Sequence, residues 1–182
     1  MKRKTTKEYL VESFLELAEH KPVNKITVAS IVENCGLTQP TFYRYFKDKY
    51  DLITWAYLDG ASRYVKKVGA EGYTWRDAIL DGVRYFIQYR SFLLNAFLNT
   101  SGMDSLLSHL IDLNSRLVLS EVGRILGDDP LPENLPALTR IYCLGTVHYM
   151  QEWLLQTPGT AEEAAELIEE ACPLALKRYL YP

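Results

Sequence analysis

The 182-residue chain is 48% hydrophobic and 24% charged, a composition typical of globular proteins that excludes a disordered or fibrous one. Its net charge of −3 is uneven, because residues 1–50 carry nine Lys or Arg and six acidic side chains, whereas the remaining residues carry 11 and 17. No signal-peptide pattern follows Met1, and no uncharged apolar run approaches the ~20 residues of a membrane span, so we expect a cytoplasmic protein without a membrane partner.

Every long segment has the period of an α-helix, and none has the sustained alternation of a β-strand. The expected helices cover residues 5–20, 27–34, 38–46, 48–67, 74–89, 91–99, 104–126, 135–156 and 161–180. Capping-box patterns support three of the starts: Thr5 with Glu8, Thr74 with Asp77, and Thr160 with Glu163. The sequence therefore predicts an all-α fold of about nine helices, with a three-helix head over residues 1–50 and a helical bundle over residues 51–182.

Residues 27–49 have the pattern of a helix-turn-helix, in which two short helices meet at a steep angle across a tight turn. Gly36 stands where the chain must reverse direction. The second helix must bury one face and present the other to the major groove of DNA. Leu37, Phe42 and Phe46 share the side expected to be buried, whereas Gln39, Pro40, Thr41, Tyr43 and Tyr45 project elsewhere.

The outward side chains of this second helix are suited to DNA. Gln39 can pair with base edges, and Thr41 and Tyr43 offer hydroxyls to bases or phosphates. Thr27 and Asp48 begin the flanking helices, whose positive N-terminal dipoles attract phosphate. With the basic first third of the chain, these residues favour a DNA-binding head on an acidic body. The alternative is a hairpin of the core with its tyrosines packed inside.

Residues 26–52 resemble the N-terminal domain of TetR/AcrR-family regulators, and the Thr-Phe-Tyr-x-x-Phe-x-x-Lys portion, residues 41–49, is specific to that family. The resemblance implies a homodimer on a palindromic double-stranded DNA operator, more often a repressor than an activator. It assigns base or adjacent backbone contacts to Gln39, Pro40, Thr41 and Tyr43, and phosphate contacts to Thr27, Thr38, Tyr45 and Lys49. Many members have Arg or Lys where this chain has Gln39, so adenine rather than guanine is the base expected there.

The body resembles a narrower subgroup, the DhaS-type activators of dihydroxyacetone kinase operons. The similarity lies in residues 89–94 and 102–106, and in Gly145 followed by residues 152–154. In the namesake of that subgroup, a partner protein senses the small molecule. The resemblance therefore implies a small-molecule effector or a protein co-regulator at the body, and it leaves open whether an internal ligand pocket exists.

Aromatic and polar side chains of the body are candidates for an effector site. We expect ligand contacts from Tyr85, Tyr89, Phe92, Met103, His109, Tyr142 and Tyr149. Each recurs at helical spacing, so core packing is the competing interpretation for every one of them. A pocket lined by several aromatic side chains and few polar groups would serve as an effector site.

The last two predicted helices offer a dimer seam, because their apolar residues cover too wide an arc for one packed face. Gly145, Ala164 and Ala171 are small enough to let helices approach closely across a two-fold axis. We therefore predict a homodimer joined through these helices. The alternative is additional contact within one subunit.

Other functions find less support in the sequence. Cys35, Cys143 and Cys172 form no CxxC pair, so we expect buried thiols and neither a metal site nor a disulfide. Paired carboxylates in an apolar setting, a Cys/His nucleophile and a phosphate-binding glycine loop are all missing, so we expect no enzyme and no cofactor. A helical protein-interaction module without its own operator remains the alternative, and it predicts no salt-sensitive DNA binding.

Overall fold

The computed structural model describes residues 4–100, 105–156 and 159–181, with residues 58–62 described by their backbone alone. All regular structure in these ranges is helical, which confirms the predicted all-α class. The helices are α1 (Thr6–His20), α2 (Val28–Asn34), α3 (Gln39–Tyr45), α4 (Lys49–Val65), α5 (Trp75–Gln88), α6 (Arg90–Asn99), α7 (Leu106–Leu126), α8 (Leu135–Leu155), α9 (Ala161–Glu170) and α10 (Leu174–Leu180). A one-turn 3-10 helix, Val23–Lys25, lies between α1 and α2.

The ten α-helices of the described ranges exceed the nine predicted, because the last predicted helix is divided in two. α9 ends at Glu170, and α10 begins directly after Pro173. Proline has no N–H to donate and restricts the residue before it to extended conformations, so a helix breaks there. The prediction of one helix over residues 161–180 was therefore wrong. The break expected at residues 101–104 lies outside the described residues.

The head, formed by α1 to α3 and the start of α4, buries its apolar side chains in a core that continues into the body. Leu10, Phe14, Ile31 and Phe42 are fully buried in it. A buried hydroxyl joins α1 to α2, because Ser13 Oγ donates to the Ile31 carbonyl oxygen at 2.6 Å. The close approach of these helices fixes the platform on which α3 lies.

Local capping signals set the ends of the helices as predicted. Thr5 and Glu8, Thr74 and Asp77, and Thr160 and Glu163 form reciprocal capping boxes. Asp48 Oδ1 accepts the N–H groups of Tyr50 and Asp51 at 2.8 and 2.9 Å and so begins α4. Gly36 has a φ of +67°, the left-handed conformation that the turn between α2 and α3 requires.

α4 begins beside the head and continues into the body, where it packs against α5 and α7. The body is completed by α7 packed along α8, and by α9 lying against α5. No helix of the described ranges is both long and apolar enough to span a membrane.

Candidate nucleic-acid interface and body cavities

α3 buries one face and exposes the other. Phe42 is fully buried, whereas Tyr43 and Tyr45 are 57% and 37% exposed. The ring of Phe42 meets the ring of Tyr43 edge-on at 5.5 Å and lies 5.7 Å from the ring of Phe46. The buried ring of Phe42 thus packs against the exposed ring of Tyr43.

The polar residues predicted to contact DNA lie at the beginning of α3 and α2. Thr38 caps α3, with its hydroxyl 2.9 Å from that of Thr41. Thr27 caps α2 in a reciprocal bond pair with Ser30. Six of the eight predicted contact residues are exposed: Thr27, Thr38, Gln39, Pro40, Tyr43 and Tyr45. Thr41 is half-buried. Six of these seven residues belong to α3 or its N-cap, and Thr27 is the N-cap of α2.

Lys49, the eighth, is half-buried and is hydrogen-bonded to the backbone of the head. Its ammonium donates to the carbonyl oxygens of Val23, Asn24 and Ile26 at 2.8, 3.1 and 2.8 Å. An ammonium has three N–H groups, and these bonds use all of them. Burial lowers the pKa of Lys49 from its usual value. Lys49 therefore holds the turn between α1 and α2 in the protein without DNA, and its phosphate contact stays a prediction.

A second polar side chain, Asn95 of α6, clamps the same turn from the body. Its Oδ1 accepts the N–H of Val23 at 3.0 Å, and its Nδ2 donates to the carbonyl oxygens of Ala18 and Lys21 at 2.7 Å each. The sequence analysis missed this residue. Its partners lie more than 70 positions away in the chain, and no local pattern signals such a contact.

Some basic side chains of the head pair with another side chain, and others are exposed. The Lys4 ammonium pairs with Glu12 at 2.8 Å, and that of Lys7 lies 5.0 Å from the centre of the Trp55 ring. Arg44 on α3 and Lys47 beside α4 are exposed. Arg44 was not among the predicted contacts, although it is exposed on α3 between Tyr43 and Tyr45.

Two cavities lie in and beside the body. The first, called the body cavity, has a volume of about 120 Å³ and lies between α4, α5, α7, α8 and α9. Its described lining contains no charged side chain, and its polar members include Tyr57, Trp75, Asn114, Tyr142 and Thr146. The second, called the junction cavity, has a volume of about 380 Å³, lies between α1 and α4 to α6, and includes Glu8, Glu12 and Arg63.

The predicted ligand residues do not meet in one place. Tyr142 lines the body cavity, whereas Tyr85, Tyr89 and Phe92 line the junction cavity. His109 packs edge-on against Tyr50 near the start of α4, with ring centres 6.3 Å apart. Tyr149 packs against the apolar core, and Met103 lies outside the described residues. Sequence periodicity places these side chains on helix faces, but the cavities arise only where several helices meet.

Large apolar side chains are exposed along the last helices. Ile141 and Leu144 of α8 lie on one face with Gly145, and Leu174 at the start of α10 is 84% exposed. Ala164, which the sequence analysis placed in the dimer seam, is fully buried, because α9 packs against α5 of the same subunit. That assignment was wrong for Ala164, whereas Gly145 and Ala171 are exposed.

The described residues contain no group of His, Cys, Asp and Glu side chains placed to hold a metal ion. Burial raises the pKa of the Cys143 and Cys172 thiols to about 11 each, so both stay protonated at neutral pH. The Tyr57 hydroxyl is paired with Asn114 Nδ2 at 3.2 Å, and the Tyr142 hydroxyl donates to the Ile168 carbonyl oxygen at 3.0 Å. These buried groups are suited to packing and binding rather than to reaction.

Residues 10–54 match the family model described as bacterial regulatory proteins, tetR family. The HTH-type dhaKLM operon transcriptional activator DhaS of Lactococcus lactis subsp. lactis (strain IL1403) is 22% identical over 92 residues. That match covers 50% of this chain and 49% of the relative, so it spans about half the relative's length.

Solved structures share the fold over nearly the whole chain. The dihydroxyacetone kinase operon activator DhaS has a TM-score of 0.65 at 15% identity, covering 96% of this chain and 98% of its own. A TetR transcriptional regulator from Rhodococcus sp. RHA1 has a TM-score of 0.66 at 18% identity, covering 98% and 100%. At these identities the similarity establishes the fold, and the family match lies over residues 10–54, which contain most of α1, all of α2 and α3, and the start of α4.

Proposed function

We propose that this chain, a member of the TetR family, is a transcriptional regulator that binds a palindromic operator as a homodimer controlled by an effector at its body. Members of the family regulate transcription and are not enzymes. The exposed face of α3 is the observation that carries the proposal. Tyr43 and Tyr45 are 57% and 37% exposed beside the buried Phe42, and exposed hydroxyl-bearing side chains of this kind suit contacts to DNA.

In the proposed complex, the first turn of α3 enters the major groove. Gln39, Pro40, Thr41 and Tyr43 contact bases or the adjacent backbone, and Thr27, Thr38 and Tyr45 contact phosphates. Gln39 favours adenine. Lys49 contributes from behind this surface, because it holds the turn that orients α2.

The proposed homodimer forms through the exposed apolar face of α8 together with α10. Ile141, Leu144 and Leu174 supply the apolar contacts, and Gly145 allows close helix approach. A two-fold axis through this face gives two copies of α3, which a palindromic site requires.

We propose repression as the mode of regulation, since a dimer on an operator blocks access to overlapping promoter DNA. Activation is the second candidate, because the relative from Lactococcus lactis is named a transcriptional activator. The position of the operator separates the two: repression requires overlap with the promoter, whereas activation requires a site upstream of it.

The test is selection of duplexes from a random DNA library by the purified full chain, followed by titration at several salt concentrations. We expect an inverted repeat, and an affinity that falls steeply as salt rises, because phosphate contacts release counterions. Tyr43→Ala should lower the operator affinity on the order of 100-fold, since the dimer loses two contacts. Leu98→Ala, at an exposed apolar residue of the body, is the control. Retained specific binding by Tyr43→Ala would show that another element reads the DNA.

A further inference from the structure

We propose that the Lys49 ammonium stays on the backbone of the head in the DNA complex, and that Lys49 raises operator affinity by positioning Thr27 rather than by contacting a phosphate. The inference narrows the DNA contacts of the operator binding proposed above and therefore rests on it. It is carried by the hydrogen bonds of the ammonium, by the carboxylates beside it, and by the place of the turn that it holds.

The ammonium has no donor left for a phosphate. Its bonds to the carbonyl oxygens of Val23, Asn24 and Ile26 are 2.8, 3.1 and 2.8 Å long. The centre of the Tyr50 ring lies 5.4 Å from the same nitrogen. Since an ammonium has three N–H groups, a phosphate could be bound only after one of these bonds is broken.

Breaking these bonds is unfavourable. Ile26 is 1% exposed, so water has little access to replace the ammonium at its carbonyl oxygen. A phosphate contact would form at the surface instead, where water and salt weaken an ion pair. The ammonium of Lys49 is therefore more stable on the carbonyl oxygens than beside an exposed phosphate.

The start of α4 disfavours a phosphate for a second reason. Asp48 Oδ1 accepts the N–H groups of Tyr50 and Asp51 at 2.8 and 2.9 Å. Asp51 Oδ2 accepts the N–H of Lys47 at 2.9 Å. Free N–H groups at a helix start are the donors that bind a phosphate, and here these are taken by carboxylates. A phosphate beside Lys49 would also be repelled by the negative charge of both carboxylates.

The turn that Lys49 holds leads directly into α2. Ile26 joins the 3-10 helix, Val23–Lys25, to Thr27, which is the N-cap of α2 and a predicted phosphate contact. A segment already held in its bound conformation loses less freedom on binding, which raises affinity. Lys49 therefore acts on the operator through Thr27, and losing its ammonium releases the residue that precedes Thr27.

The experiment measures operator affinity of the full chain at several salt concentrations, well below the unfolding temperature of each variant. Lys49→Met has no N–H groups, whereas Lys49→Arg retains the charge and binds phosphate well but presents its donors in a planar fork. We expect both variants to lose about tenfold in affinity. The slope of log affinity against log salt should change by less than about 0.5. Lys66→Met, at an exposed lysine just after α4, is the control and should change neither quantity.

A spectroscopic signature follows the ammonium itself. Protons of an exposed ammonium exchange rapidly with water, whereas hydrogen bonds slow the exchange. In ¹⁵N NMR of the lysine side chains, the signal lost in Lys49→Met or Lys49→Arg identifies Lys49. We expect a slowly exchanging Lys49 signal in the free natural sequence, and the same signal at an unchanged position in the operator complex.

Three results would overturn the proposal. The first is a slope less negative by about 1.8 in Lys49→Met, since each of two phosphate contacts contributes about 0.9, with affinity restored in Lys49→Arg. The second is natural affinity in Lys49→Met, which would leave Lys49 a role in stability alone. The third is a Lys49 signal that exchanges rapidly in the free chain or moves when DNA binds. If the natural sequence selects no operator, the proposed function fails, and the signal of the free chain still tests the carbonyl bonds.

Discussion

The head and the body use their aromatic side chains in opposite ways. Tyr43 and Tyr45 of the head are exposed above a fully buried Phe42, whereas Tyr57 and Tyr142 of the body are buried around a cavity. Phe42 is completely buried beneath the exposed face of α3, whereas the core of the body leaves a cavity of about 120 Å³. A reading surface benefits from rigidity, whereas a sensing region needs two arrangements of similar free energy.

Two side chains join these regions by hydrogen bonds to the turn between α1 and α2. Asn95 reaches it from α6 and Lys49 from α4, and both bind Val23 through its backbone, Asn95 at the N–H and Lys49 at the carbonyl. The turn is therefore the point at which a movement of the body becomes a movement of the head. The predictions below test the contrast between the regions, beginning with the largest expected effect.

The largest effect is expected at the proposed seam. The double variant Ile141→Asp/Leu144→Asp places two carboxylates on the exposed face of α8, and burying them against a second copy would leave both unpaired. We expect the dimer dissociation constant to rise on the order of 100-fold or more, and operator binding to weaken with it. Analytical ultracentrifugation measures the first. Leu98→Asp is the matched control, and a dimer that survives the double variant would place the interface elsewhere.

The hydrogen bonds that Asn95 makes to the turn after α1 should have a smaller effect, which is still measurable as a change in the free energy of unfolding. Asn95→Ala leaves the N–H of Val23 and the carbonyl oxygens of Ala18 and Lys21 without their partner. We expect the free energy of unfolding to fall by about 2–3 kcal/mol, roughly 1 kcal/mol for each bond. Urea denaturation measures the change. Asn134→Ala, at an exposed asparagine that makes no capping bond, should stay within ~0.5 kcal/mol of the natural sequence.

Replacing a glycine with alanine should lower the stability of the protein in the head and raise it in the body. A Cβ at either Gly36 or Gly82 meets nothing within 4 Å, so the backbone alone decides. Gly36 has a positive φ, and Gly36→Ala should cost about 1 kcal/mol. Gly82 lies inside α5, and Gly82→Ala should stabilise the protein by about 0.5–1 kcal/mol. Thermal unfolding of both variants measures the difference, and equal signs would contradict the assigned turn.

The smallest effect concerns thiol reactivity. Cys35 in the head is half-buried, whereas Cys143 and Cys172 in the body are buried, with pKa values raised to about 11. Only the thiolate reacts with an alkylating reagent, and at pH 8 a thiol of that pKa is ~0.1% ionised. Mass spectrometry of the folded chain should detect Cys35 modified first, by at least about tenfold in rate. Similar rates at all three sites would indicate that the body opens freely.

Much of the head could be predicted from sequence, because its determinants are local. The capping boxes, the turn at Gly36 and the spacing of Phe42 and Phe46 each act within a few residues. Pro173 was an equally local signal, and neglecting it produced the error in the last helix. Asn95 and the body cavity could not be predicted, because they depend on where distant helices meet. Lys49 illustrates the limit within the head itself, since charge and position indicate a phosphate ligand while its three donors bind carbonyl oxygens.

The continuity of α4 allows a movement in the body to displace the head. Its 17 residues extend about 25 Å at ~1.5 Å per residue. A tilt of only ~5° about the end beside the body cavity displaces the other end by about 2 Å. In a symmetric dimer both heads move, so the separation of the two α3 helices changes by up to about 4 Å against the ~34 Å repeat of B-DNA. In the proposed dimer, a displacement too small to disturb the core would thus change how the two α3 helices fit successive major grooves.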